Sequence, residues 1–331
     1  MLILGRADLE TLLTPRDVID ALAQAFGRHA GGRTSVPPRG VTSVGAAGML
    51  LVMPAASLPV AGEYQGGGLG VKLVTYYPRN RERGHATHLA SYILMDHATG
   101  EPQALLEASF LTALRTGATS ALAARHLARP DSRRVACFGT SVQARQQLRC
   151  LAAAFALERV VALGRDAQRA RRFAQAMAVE LGIAVEPSHD PRAAVSGADI
   201  VTCATTSPTP LFAGADLRPG THVDAVGAFR PETREVDTET VRRARVVVDA
   251  YPAALAEAGD LLIPLGEGAI AREHVVAELA ELVAGTRRGR TNADEVTLFK
   301  SVGFALEDLA TATLAYNRAK ARSVGSEVSL A

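Results

Sequence analysis

RVACFGTSVQARQQLRCLAAAF, residues 134–155, decides the architecture. An apolar run ends in Gly139, a short turn follows, and an amphipathic helix pattern opens at about Gln143. Strand, tight turn and helix in that order present a helix N-terminus to a dinucleotide pyrophosphate. The small positions of the turn read Gly139, Ser141 and Ala144, and Ser141 permits close approach less freely than glycine. Gly139, Thr140, Ser141, Val142, Gln143 and Ala144 are the expected phosphate turn. One imperfect motif needs confirming context.

The flanking sequence supplies it. Strand-like runs at 134–138, 159–163, 183–186, 199–203, 222–226 and 245–249 alternate with helix patterns that include 143–156 and 166–181. That alternation predicts an α/β, Rossmann-type doubly wound parallel sheet. Upstream, Thr14-Pro15 caps a helix over 14–30, short runs at 49–53, 70–76 and 88–95 read as a mixed or antiparallel sheet, and a helix over 110–128 stops before Pro130. Downstream come short helices after Tyr251-Pro252, a helix at about 272–284, a basic turn at 287–290 and a final apolar helix near 302–319, with a loose tail of about ten residues. The last helix reads as a return to the first domain. The expected division is 1–128 plus 302–331, a discontinuous α+β domain, and 129–301, the dinucleotide-binding domain.

The chain has 331 residues, which favours two domains, with 48% hydrophobic and 21% charged residues. Its 36 Lys and Arg against 34 Asp and Glu leave a net charge of +2, too balanced to suggest nucleic acid or an anionic membrane surface. Trp is absent, which removes the best stacking platform for bases. Cys137, Cys150 and Cys203 lack metal-ligand spacing and read as free thiols in a reducing compartment. The first residues lack a signal-peptide pattern, and no stretch approaches membrane-spanning length, so a cytoplasmic enzyme is expected.

The second strand of the nucleotide half ends in Gly164-Arg165-Asp166. An acid at the strand end would take the adenosine ribose and select NAD; with glycine there and Arg165 beside it, NADP(H) is expected over NAD(H). The alternative for Arg165 is an exposed side chain at a helix start, with Asp166 as the helix cap. Thr205, Thr206 and Ser207 follow the fourth strand and are expected to offer hydroxyls near the pyrophosphate and ribose. Val226 and Gly227 end the fifth strand and should approach the nicotinamide.

These stretches together resemble the ornithine cyclodeaminase and mu-crystallin family, which also includes archaeal-type alanine dehydrogenases. The resemblance runs in order from Pro37 to about Tyr316. It is carried by Val71-Lys72-Leu73-Val74-Thr75, Thr112 to Ala118, Gly139 to Ala144, Ala198-Asp199-Ile200, Gly220 to Gly227, Arg234-Glu235-Val236-Asp237 and Glu295 to Gly303. It implies NAD(P)-linked chemistry at the α-carbon of amino or imino acids, a substrate and dimerisation domain built from both chain ends, and a homodimer. Ser301 and Gly303, in the last motif, are carried over as cofactor contacts.

Lys72 lies inside an apolar run, where a lysine reads equally as an edge residue that snorkels or as a functional group. The resemblance assigns it to holding or protonating the substrate. It likewise assigns Arg115 to clamping the α-carboxylate, a planar group that suits a guanidinium fork, against the alternative of an interhelix ion pair. Arg39 matches an arginine that also reaches the carboxylate. His88 matches a histidine of reductase-like members and reads either as a proton relay or as a hydrogen-bonded structural residue. One departure separates branches of the family. Phe229 stands where the cyclodeaminase and alanine dehydrogenase branches carry a catalytic aspartate, and Asp224 upstream is an uncertain substitute. The expectation is a ketimine reductase of amino-acid metabolism. It would reduce the C=N bond of a cyclic imino acid of the pyrroline-2-carboxylate or piperideine-2-carboxylate type. The alternatives are an amino-acid dehydrogenase or ammonia-releasing cyclodeaminase that uses Asp224, and a non-catalytic, NADPH-dependent binding protein.

Overall fold

From Arg134 to Lys300 every strand runs the same way. The computed structural model describes residues 1–59 and 67–329, and they divide into two compact units, Met1–Arg115 with Phe304–Ala331 and Thr116–Gly303. In the second unit eight strands lie in the order Ala184–Ser188, Arg159–Leu163, Arg134–Phe138, Ile200–Cys203, His222–Ala225, Val296–Lys300, Ala244–Val248 and Val275–Glu278, all parallel. Ile200–Cys203 and His222–Ala225 are buried at every residue, as a sheet covered on both faces requires. The strand order reverses between Arg134–Phe138 and Ile200–Cys203, which creates a crevice beyond their carboxyl ends.

Two of these strands depart from the sequence reading. The helix expected at 272–284 is a short 3₁₀ turn, Arg272–His274, then the strand Val275–Glu278 and the helix Leu279–Val283. Val275 and Ala277 are buried there, while Glu278 and Glu281 form the box that caps the helix, so the extended residues end where the cap begins. Val296–Lys300 is a fully buried strand near the middle of the sheet.

Asp199 ties the amino-terminal side of this sheet together. Its Oδ2 accepts the N–H groups of Arg133 and Arg134, both at 3.0 Å, and its Oδ1 accepts from the guanidinium of Arg129 at 2.9 Å. Burial alone would raise this carboxyl, but the Arg134 guanidinium and the two backbone donors outweigh it and hold it below the usual range.

In the first unit the sheet order is Ser326–Glu327, Leu2–Leu4, Pro102–Glu107, His88–Met95, Gly68–Tyr76, Met49–Ser57 and Thr34–Ser35, with Gly40–Ser43 also on Met49–Ser57. Leu2–Leu4 and Pro102–Glu107 pair in parallel; the other pairs are antiparallel. The expected loose tail is in part an edge strand, because Ser326 and Glu327 pair with Ile3 and Leu2. One sheet face buries Met53, Tyr92, Leu94, Ala104 and Leu106 beneath the helices Pro15–Ala30 and Ala305–Arg322. The opposite face, with Val52, Leu69, Val71, Leu73, Ile93 and Leu105, stays half-exposed. Thr14 caps the first of those helices by accepting from Asp17 N–H, and Asp17 then pairs with Arg318 of the second at 2.6 Å.

Asp199→Ala should cost about 2–3 kcal/mol, the scale of losing charge-assisted hydrogen bonds at a buried acceptor. Since the folded carboxyl titrates below its unfolded value, this contribution is present above about pH 4 and disappears as pH falls through the lower folded value. Urea unfolding of both proteins at neutral and acidic pH checks it; equal stabilities at neutral pH contradict it.

Candidate active site

The antiparallel register sets Lys72 between Met53 and Tyr92 on the buried face of the first sheet. Such a position demands a counter-charge, because an unpaired buried ammonium is untenable. The terminal helix Ala305–Arg322 delivers it. Lys72 Nζ donates to Asp308 Oδ2 at 2.6 Å, Arg115 Nε donates to Asp308 Oδ1 at 3.0 Å, and Arg115 Nη1 donates to Glu307 Oε2. Lys72 is 1% exposed, Arg115 4%, and both acids 0%. Two cations and two carboxylates meet in this buried cluster. Burial lowers the Lys72 ammonium from its usual 10.5 to about 8; the Arg115 cation pushes the same way, and Asp308 opposes both.

Glu307 and Asp308 escaped the sequence reading because acids in the first turn of a helix serve the helix dipole and ordinarily face water. A signal was present in the demand of a buried Lys72 and Arg115 for anions. Arg39 lies outside the described ion pairs of this cluster; it immediately precedes the strand whose first residue, Gly40, pairs with Val52. His88 is exposed at the start of its strand, its ring 4.7 Å from that of Tyr76. It lies four residues along from Tyr92, the partner of Lys72, hence about 13 Å away by strand rise.

In the second unit the expected cofactor residues all collect at the carboxyl edge of the parallel sheet. Gly139 follows Arg134–Phe138 with φ 121°, and a side chain there would press its Cβ to 2.6 Å from the carbonyl of Ala204. Only glycine closes this crossing at the switch point. Ser141 is the N-cap of Val142–Ala154, its hydroxyl accepting from Ala144 N–H at 3.4 Å. The serine that spoils the glycine pattern therefore has a local task. Gly139 and this helix N-terminus fit a dinucleotide pyrophosphate.

Hydroxyls expected to face the cofactor are otherwise engaged. Thr205 Oγ1 donates to Glu235 at 2.7 Å, Ser207 Oγ donates to the carbonyl of Thr209 at 2.7 Å, and Ser301 Oγ donates to Asp249 at 2.8 Å. Thr206 is exposed, and Gly303 N–H also donates to Asp249, at 2.8 Å. Asp224 is sealed in its strand at 0% exposed, 3.2 Å from His222 Nε2, whose Nδ1 meets Thr297. It is a core residue. Phe229 packs against the apolar core of the unit, with the Arg230 guanidinium 5.9 Å from its ring centre.

Residues 1–323 match the model of the ornithine cyclodeaminase/mu-crystallin family. The chain belongs to that family. A Delta(1)-pyrroline-2-carboxylate reductase of Bacillus cereus is 36% identical over 330 residues, 99% of each chain. The structure of Thermococcus litoralis Delta(1)-pyrroline-2-carboxylate reductase in complex with NADH and L-proline is 41% identical, with a TM-score of 0.94 over 99% of this chain and 100% of that one. An archaeal alanine dehydrogenase dimer with bound NAD is 32% identical, with a TM-score of 0.91 over 100% of this chain and 99% of that one.

The expected preference for NADP(H) is corrected by these comparisons, since the two similar structures hold NADH and NAD. The residues explain the misreading. A Cβ on Gly164 would lie 2.8 Å from Thr140 Cγ2, so packing against the phosphate turn, and not room for a 2′-phosphate, keeps that position small. Arg165 is exposed, and Asp166 caps the next helix by accepting from Arg169 N–H at 2.7 Å.

Asp308→Ala would leave Lys72 and Arg115 buried against a single carboxylate, with an expected loss of about 3–5 kcal/mol. Thermal unfolding should show a fall of several degrees; an unchanged midpoint would mean the cluster is solvated.

Proposed function

We propose that the protein reduces the C=N bond of a cyclic imino acid, of the pyrroline-2-carboxylate or piperideine-2-carboxylate type, to the cyclic amino acid, with NAD(H) as redox partner. The balance is imino acid, NADH and a proton giving amino acid and NAD⁺. The observation that carries this reading is that Phe229, not a carboxylate, follows Gly227-Ala228, while Asp224 is sealed in the core. Reduction of a preformed imine needs no such base. It needs an anchor for the α-carboxylate, a proton source and a hydride, which the nicotinamide supplies when bound. Full-length likeness to two pyrroline-2-carboxylate reductases supports the same choice.

Arg115, oriented by Glu307 and Asp308, offers its fork to the carboxylate; Arg39 is a second anchor. Lys72, with its ammonium lowered to about 8, can release a proton toward the ring nitrogen near neutral pH as hydride addition turns the iminium into an amine. His88 belongs to the outer end of the same strand pair, as a relay to solvent. Gly139 to Ala144 cradle the pyrophosphate, with Thr205, Thr206, Ser207, Val226, Gly227, Ser301 and Gly303 forming the rest of the nucleotide rim. A cytoplasmic setting suits the three buried free thiols, of which Cys137 and Cys150 are pushed up to about 12 by burial. None of the described helices is long and apolar enough to cross a membrane. The half-exposed apolar sheet face of the first unit is the surface through which two copies pair.

With NADH supplied, the two cyclic imino acids should be reduced, whereas ornithine with NAD⁺ should release no ammonia. Ammonia from ornithine, or silence on every imino acid, would reverse the assignment. NADH should bind more tightly than NADPH in fluorescence titrations. Arg115→Ala should lose at least about 100-fold in kcat/KM, because the anchor serves the transition state as well as binding.

Lys72 carries its charge below its pKa, so kcat/KM should fall as pH rises through about 8. In Lys72→Arg, where the cation persists, that alkaline limb should vanish from whatever activity remains. An identical limb in the variant would assign it to another group.

Light scattering should give a dimer mass, and Val71→Glu, which charges the apolar face, should shift the protein toward monomer. A monomeric wild type contradicts the pairing.

A further inference from the structure

Glu235, Asp260 and Lys300 form a second ionic cluster, each residue 0% exposed. Glu235 Oε1 accepts both the N–H and the hydroxyl of Thr205, each at 2.7 Å. Its Oε2 accepts the N–H of Gly227 at 2.6 Å and of Ala228 at 3.3 Å. One carboxylate thus fastens the loop after Ile200–Cys203 to the loop after His222–Ala225. Asp260 Oδ1 accepts the N–H groups of Glu235 and Val236, at 2.7 and 3.0 Å, and its Oδ2 pairs with Lys300 Nζ at 2.7 Å. Lys300 closes the circuit by donating to the carbonyl of Ala228 at 2.6 Å.

Four donors converge on Glu235, and Ser207 N–H already donates to Thr205 Oγ1 at 3.1 Å, so the threonine hydroxyl must point its proton at the acid. Burial raises the Glu235 carboxyl, with the Lys300 ammonium and the Thr205 donors opposing it, and a pattern of four donors with no acceptor selects the ionised form. Two carboxylates against one ammonium leave an excess negative charge sealed from water. With all three residues at 0% exposure, solvent does little to screen that charge.

We propose that Glu235 is a positioning residue for the redox step: it locks the Thr205 and Gly227 loops into one frame, and the excess negative charge behind them favours the oxidised, cationic nicotinamide over the neutral reduced ring. The inference rests on the reading that these loops receive the nicotinamide. Departure of hydride creates a positive charge on the ring, and a fixed anion at the sheet edge stabilises that charge without reorganising. Bound NADH is thereby made the better hydride donor.

The test is the ratio of dissociation constants for NAD⁺ and NADH, from fluorescence titration and competition. Glu235→Gln and Asp260→Asn each remove one unit of charge, and the second keeps an oxygen for the Glu235 and Val236 donors. Each should raise the ratio about fivefold or more. Glu235→Asp, which keeps the charge but shortens the bridge, should weaken both cofactors and leave the ratio near wild type. An unchanged ratio in both neutral variants, or equal weakening of NAD⁺ and NADH, overturns the proposal and reduces the cluster to a structural brace. Should one variant fail to fold, the other decides. A wild-type protein that binds neither cofactor fails the functional reading instead, and removes the premise of this one.

Discussion

Lys72 on the buried face of a sheet and Arg115 on the helix Ala108–Leu127 cannot be buried unless anions reach them, and in this protein the anions arrive from far along the chain. Lys72 and Arg115 are fixed early in the sequence; Asp308 comes 193 residues after Arg115 and 236 after Lys72. Charge balance thus gives a physical reason for the discontinuous first unit. The terminal helix must return to the sheet, and its first turn must land where Asp308 can serve both Lys72 and Arg115. Helix geometry helps, since that first turn is where carboxylates are favoured by the helix dipole. Packing of the rest of the helix against Pro15–Ala30, with the Asp17–Arg318 pair, then fixes its axial position.

The second unit solves a different problem with the same tools. A parallel sheet gathers the ends of distant segments at one edge without any contact between them being required. Something must still hold the loops in one shape. Hydrogen bonds from Gly139 N–H to Leu163, Ala204 N–H to Phe138 and Val226 N–H to Cys203 set where each loop leaves the sheet. Beyond that point backbone pairing ends, and buried carboxylates take over: Glu235 for the Thr205 and Gly227 loops, and Asp249 for Ser301 to Gly303.

Legibility in the sequence followed this division. Strands buried on both faces, such as Ile200–Cys203 and His222–Ala225, announce themselves as apolar runs, and helices with a strong cap, such as Pro15–Ala30, read correctly to within a residue or two. Val275–Glu278 did not, because its four residues merge into the helical period of the segment that follows. Val296–Lys300 ends in a lysine, which ordinarily signals the surface, and only its pairing with Asp260 shows why it is buried. Family resemblance singles out Lys72 and Arg115, but their acidic partners escape it, since proximity across the chain leaves no local mark. Gly164 was read as the choice of a cofactor when Thr140 packing accounts for it. Local chemistry is visible in sequence; a residue whose task is set by a distant neighbour is not.

The charge of the first cluster also bears on which protonation state of substrate it can accept. Lys72, Arg115, Glu307 and Asp308 already sum to zero. An imino acid protonated on nitrogen is a zwitterion and adds nothing to the sum. On the proposed function its carboxylate goes to Arg115. The protonated imine is also the electrophile that hydride attacks most readily, so the electrostatic condition for binding and the electronic condition for reaction select the same species.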